Sequence, residues 1–151
     1  MEEYLLAVNE EELLYLQKVI IQCQNYSETL FKTFRRFDVL PERVRSAGAA
    51  LESFKNILDQ IEYFLMPRDP EIGHIFLFVL SKNDILTISW ELLICQRDFE
   101  LSLLYCYDDI ENVDQKEIDE NFKRCTVNVQ LLQRIANVID FQDVFKKDEE
   151  N

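Results

Sequence analysis

The stretch Ile85-Leu86-Thr87-Ile88-Ser89-Trp90-Glu91-Leu92-Leu93-Ile94-Cys95 decides the fold. Its even positions are Leu86, Ile88, Trp90, Leu92 and Ile94, and Thr87, Ser89 and Glu91 alternate with them. On a helix those three polar residues scatter around the cylinder, whereas on a strand they share one face. Phe99–Tyr107 repeats the pattern, with Phe99, Leu101, Leu103, Tyr105 and Tyr107 set against Glu100 and Ser102. Ser81-Lys82-Asn83-Asp84 and Gln96-Arg97-Asp98 have the polar composition of turns. Ile72–Leu80 is continuously apolar, as in a strand covered on both faces. The spacing therefore predicts a three-stranded antiparallel meander at 72–80, 85–95 and 99–107, with Trp90 facing the core. Only Gly48 and Gly73 occur in the chain, so neither turn carries the Asn-Gly signal of a tight hairpin, and an all-α bundle is the alternative.

Helices flank this region. Asn9 and Glu12 have the spacing of a capping box, in which two orphan backbone N–H groups are satisfied reciprocally. Leu13, Leu16, Ile20, Cys23, Leu30 and Phe34 then recur on one helical face to about residue 37. Pro41 suits the first turn of a second helix, whose stripe is Val44, Ala47, Leu51, Phe54, Leu58, Ile61 and Leu65, ended by Pro67 and Pro70. Two long helices joined by a short turn pack antiparallel. Asp114 and Glu117 form a second capping pair, followed by Ile118, Phe122, Cys125, Val129, Leu132, Ala136 and Ile139. No repeat, low-complexity tract or linker is evident. The expectation is a single α+β domain over residues 1–151: two long antiparallel N-terminal helices, a three-stranded antiparallel meander, and a C-terminal helix on one face of the sheet.

Composition bounds the chemistry. The chain has 151 residues, 48% hydrophobic and 30% charged, which suits one folded domain rather than a disordered chain. Its 16 basic and 29 acidic residues give a formal charge of −13, which opposes nucleic acid or an anionic membrane as the main partner. The four cysteines, at 23, 95, 106 and 125, form no C-x-x-C pair, and His74 is the single histidine, so no zinc site is expected. Those cysteines read as reduced thiols at apolar positions, and the acidic start lacks the basic region of a signal peptide; both point to the cytoplasm. Two glycines cannot supply a P-loop or a dinucleotide fingerprint, and no nucleophile elbow is present. No catalytic residue, cofactor or metal is expected.

Arg68-Asp69-Pro70-Glu71-Ile72-Gly73-His74 resembles the R-x(4–6)-H motif of HEPN ribonucleases. The resemblance implies that Arg68 and His74 act together on an RNA phosphate, in a helical bundle that is usually dimeric. Pro70 and Gly73 break the helix on which that family carries the pair, so it reads instead as a loop entering a strand.

The charge distribution points elsewhere. Asp108, Asp109, Glu111, Asp114, Glu117, Asp119 and Glu120 crowd one segment, opposed by Lys116 alone. Asp114 and Glu117 are assigned to helix capping. Asp108, Asp109, Glu111, Asp119 and Glu120 are the expected binding residues for a basic protein, because a concentrated field accelerates encounter. A smaller basic group, Lys32, Arg35, Arg36, Arg43 and Arg45, reads as compensation of a helix dipole. The expected function is a stoichiometric inhibitor or neutraliser of a basic protein such as a nuclease or defence effector, of the immunity, antitoxin or phage anti-defence type. An acidic chaperone or adaptor is the alternative, and a homodimer is compatible with the helical stripes.

Overall fold

The computed structural model describes residues 2–36, 41–66, 75–108 and 114–139, with backbone alone for 105–108. Its elements run β1 (Tyr4–Asn9), α1 (Glu10–Arg36), α2 (Pro41–Phe64), β2 (Ile75–Leu80), α3 (Lys82–Asp108) and α4 (Gln115–Val138). Of the described residues 84% are helical, and they contain one two-stranded sheet. This corrects the α+β expectation: there is no three-stranded meander in the described residues. The stretches 85–95 and 99–107 lie within a single helix, α3, and Gln96-Arg97-Asp98 continues it rather than turning.

The reason is local. Lys82–Asp108 contains no glycine or proline. At its start, Ser81 Oγ accepts the Asp84 N–H at 3.1 Å, and Asp84 Oδ2 accepts the Ser81 N–H at 3.0 Å. This is a capping box, which nucleates a helix where a turn was expected. Ile85, Ile88, Ser89 and Leu92 face inward at spacings of three and four, while Trp90 is 65% exposed. The even-numbered set therefore mixes core and surface residues. Ser89 avoids a buried orphan by donating its hydroxyl to Ile85 O at 2.6 Å.

β1 and β2 pair antiparallel, Leu6 opposite Phe78 and Val8 opposite Phe76. Leu6, Val8, Phe76, Phe78 and Leu80 point into the core, while Leu5, Ile75, Leu77 and Val79 are exposed, so the sheet is covered on one face only. Under it lie Leu13, Leu16 and Ile20 of α1, Phe54, Ile57 and Ile61 of α2, and Leu131 and Ile135 of α4, in one cluster with the inward residues of α3. Phe64 meets the Phe78 ring edge-on, centroids 5.1 Å apart. The outer backbone of β2 is engaged as well. Gln60 of α2 donates to Val79 O at 2.9 Å and accepts the Val79 N–H at 3.0 Å, acting as a substitute strand.

These burials separate two aromatic residues by cost. Phe78→Ala is expected to destabilise the protein by about 3–5 kcal/mol, as for a fully buried ring. Trp90→Ala should stay within about 0.5 kcal/mol, as for an exposed surface position. Urea unfolding of the two variants checks both values.

Candidate functional site

α1, α2 and α3 enclose an open groove of about 460 Å³. Leu30 and Phe34 of α1, Ala47 and Ala50 of α2, and Trp90 of α3 give it apolar walls, with Glu42, Arg43 and Glu91 among its polar residues. Small residues on α2 keep its backbone low, and the indole stands on the opposite side. The Glu91 carboxylate is held in place, because Cys23 Sγ donates to its Oε2 at 3.0 Å. Tryptophan offers a large apolar face with a polar edge, the combination found where partners bind.

A second cleft of about 270 Å³ lies between α1, α3 and α4, lined by Tyr15, Lys18, Cys95, Asp98, Phe99 and Arg124 among others. Behind it, the fully buried Asn128 accepts the Tyr15 hydroxyl at 2.8 Å and donates to Leu92 O at 2.9 Å and Gln96 Oε1 at 3.1 Å. Burial pushes the Tyr15 phenol well above its usual range, with Cys95 adding to the effect. Burial also raises the Cys23 thiol, reinforced by Glu91, and the Cys95 thiol, whose next contribution is again Glu91. Cys23, Cys95 and Cys125 are free thiols, and the first two stay protonated where an ordinary thiol would titrate.

The expected acidic site is only partly in view. Asp119 and Glu120 are exposed near the start of α4, and Asp119 Oδ1 accepts from Gln115 Nε2 at 3.0 Å. Asp108 is the last residue of α3, and Asp109 and Glu111 lie outside the described residues. Asp114 caps α4 as expected, its side chain accepting the Lys116 N–H at 3.0 Å. Arg68 and His74 also lie outside the described residues. At 1.5 Å per residue, positions 90 and 108 stand about 27 Å apart along α3, so Asp108 does not belong to the groove. Sequence reasoning placed Trp90 in the core and missed the groove. The available signal was that α3 is apolar nearly all round: Trp90, Leu93, Leu101 and Leu104 are exposed in addition to its buried stripe.

No protein-family model, curated protein or solved structure matches the chain. No helix among the described residues is long and apolar enough to cross a membrane.

The raised groups set a pH dependence with a definite sign. The unfolded chain ionises its thiols near 9.0 and its tyrosines near 10.0, while Cys23, Cys95 and Tyr15 in the folded chain do not. Their contribution is therefore complete below pH 9 and is lost as pH rises above it, because protons leave the unfolded state first. Urea midpoints should fall between pH 8 and pH 11, and the fall should be smaller in Cys23→Ala.

Proposed function

We propose that this protein is a non-catalytic, stoichiometric binder of a basic protein, anchoring a partner segment in the groove beside Trp90. The observation that carries the reading is a large aromatic side chain, 65% exposed, standing over an apolar groove with Glu42 and Glu91 among its residues. An exposed indole of this kind gives nothing to folding and becomes useful once covered. Carboxylates beside apolar walls suit an amphipathic segment carrying lysine or arginine. The chain's charge of −13 attracts such a partner over long range.

In this reading the two patches divide the work. Asp108, Asp109, Glu111, Asp119 and Glu120 steer the encounter, and the groove holds what arrives. The targets that fit are basic proteins such as nucleases or defence effectors, which makes the protein an inhibitor or neutraliser of the immunity, antitoxin or anti-defence type. Its compartment in this account is the cytoplasm, where the free thiols of Cys23, Cys95 and Cys125 persist.

A strand-adding chaperone or adaptor is a weaker fit. Gln60 occupies the outward N–H and C=O of Val79, two of the groups to which a strand adding to the β2 edge would pair.

Kinetics separate the two patches. A photo-crosslinking residue at position 90 captures the partner from the native host, and surface plasmon resonance then measures it in purified form. Trp90→Ala should raise the dissociation rate and cost about 2 kcal/mol or more of binding, as for an interfacial tryptophan. Asp119→Lys with Glu120→Lys should slow association and flatten its salt dependence, leaving dissociation nearly unchanged. Capture of a neutral or acidic protein, or unchanged binding by Trp90→Ala, contradicts the reading.

A further inference from the structure

The order β–α–α occurs twice, and the two occurrences match in length. β1 and β2 have 6 residues each, α1 and α3 have 27, and α2 and α4 have 24. A shift of 72 residues carries α1 onto α3 and the inward residues of β1 onto those of β2, whose bounds are offset by 71, and a shift of 74 carries the second helix. Core positions then coincide: Leu6 with Phe78, Val8 with Leu80, Leu13 with Ile85, Leu16 with Ile88, Ile20 with Leu92, Ile57 with Leu131 and Ile61 with Ile135, all buried. Even the buried polar positions agree, since Glu12 falls on Asp84 and each accepts the N–H of the capping residue three before it, Asn9 or Ser81.

The pairing register obeys the same operation. Leu6 lies opposite Phe78, its own counterpart, while Tyr4–Leu80 and Val8–Phe76 exchange places. That is the register of a two-fold axis passing through the Leu6–Phe78 pair. The clefts follow it as well. Lys18, Val19, Phe99 and Arg124 of the smaller cleft are the counterparts of Trp90, Glu91, Ser27 and Ala50 of the groove. Corresponding positions have thus received different side chains, with Trp90 and Ala50 in the groove where the smaller cleft has Lys18 and Arg124.

We propose that the chain is two copies of one β–α–α unit joined head to tail, and that the strand-bearing face of each unit is a docking surface whose partner is the other copy. Each unit brings a single strand, whose pairing partner lies in the other unit. Polar contacts also cross between units, in addition to those of Asn128 with Leu92 and Gln96 inside the second unit. Arg134 binds Glu12, Asn128 binds Tyr15, Asn56 binds Asp84, Gln60 binds Val79, Asn83 binds Ser53 and Cys23 binds Glu91. Strand pairing, core packing and these polar contacts, all between described residues, thus join the halves. This inference is independent of what the protein binds.

The test uses the full-length chain with a specific protease site placed in segment 67–74. After cleavage, the two pieces should remain together at micromolar concentration, with the mass of the uncut chain by light scattering and undiminished helical circular dichroism. Their melting temperature should fall on tenfold dilution, whereas that of the uncut chain should not. Pieces that separate, whether folded or unfolded, overturn the proposal. A circular permutant that opens within 67–74 and joins Asn151 directly to Met1 gives an independent check. The chain outside β1 and α4 is longer than the connection between α2 and β2, so the permutant should melt cooperatively with the parent helicity. A permutant that fails to fold contradicts the two-fold relation.

Discussion

A buried carboxylate holds the corner on which the rest of the structure depends. Glu12 has no exposed surface; its Oε1 accepts the Asn9 N–H at 2.8 Å, and its Oε2 accepts Arg134 Nε at 2.6 Å. Asn9 Oδ1 returns a contact by accepting the Glu12 N–H at 2.8 Å. A charge withdrawn from water is tolerable only when paired and hydrogen-bonded, so one side chain fixes three things together. It sets where β1 stops, where α1 starts and where α4 docks. At the other corner Asp84 does the same for β2 and α3, with Asn56 of α2 donating to its Oδ2 at 2.6 Å. Both corners are closed by a helix from the opposite half, and the strands between them have little freedom left.

The rest of the architecture follows from pinning a short sheet at two corners. A two-stranded sheet is marginal in water by itself, and here helices cover its inner face and Gln60 covers part of one edge. Four helices of 24 or 27 residues are longer than a six-residue strand pair can cover, so their far ends diverge from the sheet. Leu30 and Phe34, from the far part of α1, wall the groove there, and Trp90 reaches it from the first third of α3. The proposed binding surface is thus a by-product of the fold's proportions, and the side chains lining it determine what it accepts.

How far the sequence could be read depended on whether a segment had one polar face. α1 and α2 carry clear stripes, and Leu13, Leu16, Ile20, Phe54 and Ile61 are core residues as their spacing implies. In α4 the expected stripe is displaced from the buried one: Val127, Leu131 and Ile135 are in the core, while Phe122 and Ala136 are exposed and Val129 and Leu132 are half-buried. The Asn9–Glu12 box forms as its spacing requires. α3 was misread because exposed Trp90 and Leu93 and half-buried Leu86 erase its polar face, leaving a period-two pattern to compete with the helical one. Ser81–Asp84 has capping-box spacing with Asp in place of Glu, and was assigned to a turn on composition. The pairing of Tyr4–Asn9 with Ile75–Leu80 is a contact across about half of the chain that no local pattern encodes. The two halves agree in burial more than in identity, with Cys23-Gln24 and Cys95-Gln96 the clearest shared pair, so local sequence does not reveal their relation. The acidic segment was legible as charge, whereas the groove required knowing which face of α3 points outward.

Native-state amide hydrogen exchange with and without Arg134→Met tests the central claim, that the two corners clamp both halves into one cooperative unit. In the parent, the amides of Leu6, Val8, Phe76 and Phe78 should open with the same free energy, that of global unfolding. Arg134→Met removes a hydrogen bond to a buried charged group and should lower all four by about 1.5–3 kcal/mol, to the same extent. If protection falls in β1 and α1 while β2 and α3 keep their parental values, the halves are separately stable and the account is wrong.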